Sequence, residues 1–436
     1  MIQLSLSNET TNLFELLTHP NTLNIAFNAV KKNQGSPGID KVSVNDFAQR
    51  KDEELAQLRE ELINWDYQPK PVRRVEIPKP DNKGVRLLGV PCVRDRVVQT
   101  AIKLVIEPIL DPMFSNSSFG FRPNRSQHQA IEQARQYVAS GKNIVVDIDL
   151  SKFFDRINHD RLIGLLGKTI LDKRILRLVG MTLRSGVMVN GDIQPTTLGS
   201  TQGSPLSPLL SNVVLDVLDK KLEQRGLSFV RFADDCNIFV ASRQAGERVM
   251  DNTARFIENK MKLVINQEKS KVARANQVNF LGFTIVKDVI AISKEAMKNA
   301  RGQIKALLPR GTHLTLQATL AAFNKWYVGW SSYFQVTHYP AQFKSLEGYA
   351  RRRLRARLVS QTKRRKYLFK TLKKRGVKHK TAARTAFSNK GRWALSQTKA
   401  VQIAFPNRYF AAAGLFCKSQ QALRHWADVN KWIHLA

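Results

Sequence analysis

The feature that most restricts this chain is an acidic pair set between two apolar β runs. Leu227-Ser228-Phe229-Val230 and Asn237-Ile238-Phe239-Val240 flank Phe232-Ala233-Asp234-Asp235. Each flank reads as a buried strand. The spacing predicts a β-hairpin over residues 227–241 with two carboxylates at its tip. Carboxylates taken into an apolar interior without a partner are costly to keep ionised. At the end of a hairpin they can converge on a cation instead. Aspartate is also an ordinary turn residue, so the pair alone leaves both readings open.

A second acidic strand narrows the choice. Residues 143–150 form an apolar, β-rich run interrupted by Asp147 and Asp149. Positions i and i+2 of a strand share a face, so these two carboxylates need compensation together. A metal pair bridging the strand and the hairpin would supply it. Two divalent ions about 4 Å apart suit in-line nucleotidyl transfer. Oxygen-only ligands suit Mg²⁺, with Mn²⁺ as a substitute. Spacing alone does not choose between Asp147 and Asp149.

The charge balance points to the same class of substrate. The 436 residues carry 70 Lys and Arg against 35 Asp and Glu, a net charge of +35. Self-repulsion makes that a cost to folding, so a polyanionic partner is expected, and nucleic acid leads. The charge is clustered: residues 351–400 hold 19 Lys or Arg and no acid. An anionic membrane is the other candidate, but no apolar run approaches the length of a transmembrane helix. Residues 1–20 show no secretion signal. Cys92, Cys236 and Cys417 are scattered, which fits neither a disulfide framework nor a paired-cysteine metal site. The expectation is a reduced protein of the bacterial cytosol, associated with the nucleoid and not with a membrane.

Periodicity and turn chemistry predict a mixed α+β core. The first 30 residues read as helical, and Gly35-Ser36-Pro37-Gly38 as a loop. Further helices are expected over 55–63, 95–109 (stopped near Pro108), 207–222 and 244–261. Another should start near Lys152 or Asp160. Strands are expected at 75–78 and 86–90, joined by the turn 80–84, and strand character returns over 278–292. Beyond Lys294 the chain reads as helical and basic.

Taken in order, these segments resemble the right-hand polymerase core of group II intron-encoded reverse transcriptases. Val145-Val146-Asp147-Ile148-Asp149-Leu150-Ser151-Lys152-Phe153-Phe154-Asp155 resembles that family's first catalytic motif, and Asp234-Asp235 its second. The family more often has Tyr where this chain has Phe232. The resemblance implies Asp149, Asp234 and Asp235 as catalytic metal ligands, with the Leu150 carbonyl as an additional oxygen. Residues 33–42 resemble an extra N-terminal motif. Residues 73–80, followed by Arg86 and Gly89-Val90-Pro91, resemble the fingers hairpin, so Lys79 and Arg86 would hold the incoming triphosphate. Phe119-Gly120-Phe121-Arg122-Pro123 resembles a motif that positions the template, with Arg122 as a nucleic-acid contact. Residues 199–208 resemble the template-grip loop, in which Gln202 and Gly203 would contact the templating pair and nucleotide. Phe154, five residues after Asp149, matches the steric gate that selects deoxynucleotides. Lys269, in Asn266-Gln267-Glu268-Lys269-Ser270, is a candidate acid for the pyrophosphate. Phe280-Leu281-Gly282-Phe283 resembles the primer grip.

The later residues resemble the thumb of intron-encoded maturases. Trp326 and Trp330, at i and i+4, read better as helix core than as stacking surfaces. The implied nucleic-acid contacts are Lys325, Arg351, Arg352, Arg353, Lys363, Arg364, Arg365, Lys373, Lys374 and Arg375. The expected organisation is an N-terminal extension and fingers over 1–140 and a palm with an antiparallel sheet over 141–290. An α-helical thumb or maturase region follows over 291–365, then a basic helical nucleic-acid-binding region over 366–436. Nothing matches the HNH endonuclease that ends longer relatives. The implied partners are an RNA template or intron RNA, a DNA primer or target, and deoxynucleoside triphosphates. Two other readings stay open: a maturase or splicing chaperone with vestigial polymerase, and a domesticated reverse transcriptase in repair or phage defence.

Overall fold

The computed structural model describes residues 12–78, 85–189 and 192–419. Lys79 and the expected 80–84 turn lie outside them. The chain forms two compact units, residues 1–274 and 275–436. Each has its own apolar core.

The first unit is built on two four-stranded sheets. One contains β1 (Val72–Pro78), β2 (Val85–Val90), β4 (Val187–Val189) and β5 (Asp192–Gln194), in the order β2-β1-β4-β5. The β1–β4 pairing is parallel. The other contains β3 (Ile144–Ile148), β6 (Ser228–Phe232), β7 (Asp235–Val240) and β8 (Lys271–Arg274). It is antiparallel throughout, in the order β6-β7-β3-β8. β3 is internal, and four of its five residues are buried, which is why its sequence is nearly continuous in Ile and Val. The Gln127–Ala139 and Arg243–Phe256 helices pack on this sheet.

The Ser207–Gln224 helix buries Leu210, Val214, Leu218 and Leu222 at helical spacing. The same helix also buries Asn212 and Asp219 completely. In the Val93–Leu110 helix, Asp95 is 2% exposed. Its carboxylate accepts from the Tyr67 hydroxyl at 2.7 Å and the Lys70 amide at 3.2 Å. Burial outweighs both bonds and pushes its pKa up to about 6. The folded state therefore binds this proton more tightly than the unfolded chain. Stability from this group rises as pH falls through about 6 and is lost as pH rises through it. Against Asp95→Asn, the wild type is expected to gain about 1 kcal/mol between pH 7.5 and pH 5. Thermal melts of both proteins check this; a difference that does not change with pH would contradict it.

The second unit opens with a hairpin of β9 (Phe283–Val286) and β10 (Val289–Ile292). The Lys294–Leu307, Leu316–Tyr333 and Ala341–Gln361 helices follow, around a core that includes Ile304, Phe323, Tyr327, Leu346 and Leu354. Short basic helices come next: Arg365–Lys374, His379–Ala386, Arg392–Leu395, Lys399–Ala404 and Asn407–Ala412. Among the described residues no helix is long and apolar enough to cross a membrane.

Several elements differ from expectation. The Val93–Leu110 helix runs past Pro108, which sits in its last turn. The helix expected near Lys152 or Asp160 begins at His159, capped by Asn158, after a 3₁₀ turn at Phe153–Arg156. The 278–292 strand is a short hairpin beginning at Phe283. The Gln127–Ala139 and Lys173–Leu183 helices and the β4–β5 pair were not anticipated. β4 and β5 have three residues each, too few to carry a readable alternation.

Candidate active site

The antiparallel register of β3 and β7 sets Asp147 opposite Asn237 and Ile148 opposite Cys236. Alternation along β7 then puts Asp235 on the face of Asn237 and hence of Asp147. Asn237 donates from Nδ2 to Asp235 Oδ1 at 3.0 Å. Asp149 lies one residue beyond the end of β3. Its carbonyl accepts from the Asn266 amide at 2.8 Å, and its amide donates to Ser270 Oγ at 3.0 Å. Leu150 is buried and bridges to Ile265. The 266–270 segment is thereby held against Asp149, and Lys269 Nζ comes to 3.9 Å from Asp149 Oδ2.

Phe232 pairs with Asp235, leaving Ala233 and Asp234 as a two-residue turn. Ala233 has φ +58°, a left-handed conformation unfavourable for a residue with a Cβ. A Cβ on Gly120 would lie 2.1 Å from the Ala233 amide nitrogen, so the 117–123 segment presses on this turn through a glycine.

Burial and neighbouring carboxylates raise the pKa of three of the four carboxyl groups. Burial, and then the charges of Asp147, Asp234 and Asp149, push the Asp235 carboxyl well above the usual range. Burial is also the main cause for Asp234, where Asp149 adds to the rise and Arg86 opposes it. Asp147 is pushed up to about 6, chiefly by burial, with Asp149 adding and Lys271 opposing. This is an excess of negative charge on hard oxygen donors, which fits divalent cations such as Mg²⁺. Among the described residues, no three His, Cys, Asp or Glu side chains converge on one point. The fit therefore rests on charge and donor type.

A glycine-rich loop borders this site. The Gly89 amide on β2 donates to the Gln202 carbonyl at 2.8 Å. The Ser200 amide donates to the Phe154 carbonyl at 2.7 Å, and the Gly199 amide to the Ile157 carbonyl at 2.8 Å. His159 Nε2 lies 2.6 Å from the Gly199 carbonyl. Ser204 donates to Gln99 Oε1 at 2.8 Å. Gln202, Gly203 and the half-buried Phe154 are thus tied together through the main chain, while Arg86 is exposed on β2. Gly203 has φ +109°, and a Cβ there would lie 2.8 Å from the Gly89 carbonyl oxygen. Gly203→Ala is expected to raise the KM for nucleotide about tenfold, with a smaller effect on kcat, by forcing this contact apart. Steady-state incorporation kinetics check it; an unchanged KM would contradict it.

Of the arginines expected to reach nucleic acid, Arg122 and Arg353 are buried, and Arg351 and Arg352 are half-buried. Arg122 spends its donors on Asp111 Oδ1, the Asp111 carbonyl and the carbonyls of Ser115 and Ser118. Its side chain is 4% exposed. Arg353 is buried and donates to the carbonyls of Leu308 and Lys305. Arg351 pairs with the buried Glu347, and Arg352 lies 3.8 Å over the Trp393 ring. A run of basic residues fixes net charge but not helix phase, so Arg353 turns inward to cap carbonyls, while Arg122 caps carbonyls of its own loop. Lys325, Lys363, Arg364, Arg365, Lys373, Lys374 and Arg375 are exposed. Arg375 also lies over the Phe405 and Tyr409 rings. Trp326 and Trp330 are half-buried against the second core.

Sequence reasoning missed the buried polar residues behind the turn: Ser118, Asn212, Asp219 and Arg231. The available signal was Asn212 and Asp219 at i and i+7 on an otherwise apolar helix face, with a lone Arg in the apolar strand beside them.

Comparison with known proteins fits this geometry. Residues 77–285 match the family described as reverse transcriptase (RNA-dependent DNA polymerase). Residues 297–376 match the group II intron maturase-specific domain. Protein YkfC of Escherichia coli (strain K12) is 32% identical over 346 residues, covering 68% of this chain and 91% of that one. Group II intron-encoded protein LtrA of Lactococcus lactis subsp. cremoris is 31% identical over 270 residues, 60% of this chain and 42% of LtrA. A putative COX1/OXI3 intron 2 protein of Saccharomyces cerevisiae is 30% identical over 336 residues, 63% of this chain and 39% of its own length. The chain therefore aligns with less than half of the last two relatives.

Proposed function

The chain belongs to the group II intron type of reverse transcriptase and maturase, and from that premise we propose that it extends a DNA primer on an RNA template with deoxynucleoside triphosphates. The observation that carries this is the grouping of Asp147, Asp149, Asp234 and Asp235 at the end of one sheet, where burial and the neighbouring charges, that of Asp149 among them, push the Asp147, Asp234 and Asp235 carboxyl groups above their usual range.

In this reading Asp149, Asp234 and Asp235, with the Leu150 carbonyl, hold two Mg²⁺ ions, and Mn²⁺ can replace them. The bound ions supply activation of the primer 3′-hydroxyl and stabilisation of the departing pyrophosphate. The remaining work falls to the chain's own groups. Arg86 and Lys79 bind the triphosphate. Gln202 and Gly203 hold the templating pair against the loop latched to Gly89. Phe154 occupies the space of a ribose 2′-hydroxyl. Lys269 gives a proton to the pyrophosphate, a role supported by its ammonium lying 3.9 Å from Asp149 Oδ2. Asp147 adds field to the same face without being required as a ligand.

The second unit carries a matching role. Its exposed Lys363, Arg364, Arg365, Lys373, Lys374 and Arg375 follow RNA or DNA phosphates. The maturase-specific match supports binding of intron RNA to assist splicing and mobility. RNA and DNA as substrates set this work in the cytosol, beside the nucleoid.

The test is extension of a DNA primer annealed to RNA, with dNTPs and Mg²⁺, by the wild type and by Asp234→Asn. Product from the wild type alone supports the polymerase. No product from either, with tight RNA binding intact, would overturn it. In that case a splicing assay in which Asp234→Asn performs as well as the wild type would support a maturase with vestigial polymerase.

A further inference from the structure

Among the described residues the largest fully buried side chain is an arginine three residues before Asp234. Arg231 is 0% exposed, and so is its partner Asp219. A guanidinium has five N–H donors, and here every one is engaged. Nε donates to Asp219 Oδ1 at 2.8 Å, and one terminal nitrogen to Asp219 Oδ2 at 2.5 Å and Ser118 Oγ at 2.8 Å. The other donates to Asn212 Oδ1 at 2.9 Å and to the Ala233 carbonyl at 2.8 Å.

Four segments therefore meet on one side chain: residues 117–120, the Ser207–Gln224 helix, β6 and the turn itself. The main chain repeats the connection. The Arg231 amide donates to the Ser117 carbonyl, and the Phe119 amide to the Arg231 carbonyl, both at 2.9 Å. Asn212 Nδ2 donates to the Gly120 carbonyl at 2.9 Å. Gly120 in turn lies against the Ala233 amide.

A buried ion pair is poor value as a stabiliser, since an apolar replacement of similar volume is often neutral or better. Folding alone does not account for a charge in this place. The bond to the Ala233 carbonyl does, because Ala233 sits in a left-handed conformation that persists only where the surroundings over-determine it.

We infer that Arg231 is a positioning residue for the active site: its guanidinium, oriented by Asp219, Asn212 and Ser118, fixes the Ala233 carbonyl and so the direction of the Asp234 and Asp235 carboxylates. This deepens the polymerase reading and rests on it. Arg231 touches no substrate; it acts through the turn. Residues 117–120 share the same hub, so a displacement of that segment reaches the two carboxylates through the Arg231 side chain as well as through the contact of Gly120 with the turn.

The test uses the full-length chain with Arg231→Met, Arg231→Lys and Ser118→Ala. Three readouts are taken: Mn²⁺ binding by electron paramagnetic resonance without nucleotide, amide hydrogen exchange over 232–236, and single-turnover primer extension. Circular dichroism and RNA affinity establish that each variant is folded. Arg231→Met is expected to weaken Mn²⁺ binding at least tenfold, speed exchange of the turn amides and lower extension at least a hundredfold, with RNA affinity within threefold. Arg231→Lys, which keeps the charge but not the fork, should recover little. Ser118→Ala removes one acceptor and leaves the Asp219 pair, so it should fold and lose about five- to tenfold in both Mn²⁺ affinity and extension. If Arg231→Met does not fold, Ser118→Ala carries the test. Unchanged Mn²⁺ binding and turn exchange in a folded Arg231→Met, or in Ser118→Ala, would overturn the inference. Because Mn²⁺ binding and exchange do not need polymerisation, a wild type that binds Mn²⁺ but extends nothing would fail the polymerase reading without failing this one.

Discussion

Asp234→Asn is expected to reduce primer extension by at least about a thousandfold while leaving RNA affinity and the melting temperature close to wild type. The amide keeps the size of the carboxylate and removes its charge. Loss of one ligand from a divalent pair removes several kcal/mol of charge stabilisation that matters most in the transition state, and about 4 kcal/mol corresponds to that thousandfold. The fold should not suffer. The carboxyl is pushed up by burial and by Asp149, so its charge is a cost to the folded state and neutralising it relieves repulsion. RNA affinity is expected to depend on exposed basic residues of the second unit, which the substitution does not touch. Single-turnover extension with saturating primer–template separates these quantities. A variant within tenfold of wild type would remove Asp234 from the metal site and the two-ion mechanism with it.

Gly120→Ala is expected to lower extension about a hundredfold. The reason is spatial, because Gly120 does not adopt the left-handed backbone. Its added methyl would lie 2.1 Å from the Ala233 nitrogen and 2.9 Å from the Phe232 carbonyl carbon. Both are main-chain atoms of the acidic turn and cannot swing aside as a side chain can, so the turn must move. A displacement of about 1 Å at the reacting groups can cost about a hundredfold. Gly302→Ala is the matching control. It lies within the Lys294–Leu307 helix with nothing near the added methyl, so it should be neutral or slightly stabilising. Extension kinetics of the two variants side by side decide the matter; equal activity would mean that the turn absorbs the methyl without moving its carboxylates.

Much of the site was legible in one dimension. Hairpins and acid-bearing strands are local objects, so the strand spacing around Asp234-Asp235 and the apolar run around Asp147 and Asp149 could be read directly. The structure forms the 228–240 hairpin with a two-residue turn and sets β3 beside β7. It also extends what spacing suggested. Asp149 lies just past the strand and is fixed by Asn266 and Ser270, more than a hundred residues on. The family resemblance separated Asp147 from Asp149. Spacing could not, because both share the face that Asp235 joins.

What sequence could not supply was the direction of side chains whose partners lie far along the chain. Arg353 looked like a nucleic-acid contact because it lies in a dense basic tract, and Arg122 because its segment resembles a template-positioning motif. Packing turned both inward to cap carbonyls. The β1–β4 pairing joins short strands about a hundred residues apart, and no local periodicity marks it.

The sequence by itself determined the chemistry: carboxylates on two apolar strands, a glycine loop before a helix, and a positive charge too large and too clustered for a chain without a polyanionic partner. These are properties of residue type and near spacing, set by burial, pleat alternation and Coulomb repulsion. Only the tertiary structure decided how the carboxylates are held. The contacts of Arg231 with the acidic turn became visible only once Ser118, Asn212, Asp219 and Ala233 were brought within hydrogen-bond reach of it. The physical reason is that a hydrogen bond acts over about 3 Å, whatever the number of residues between its partners.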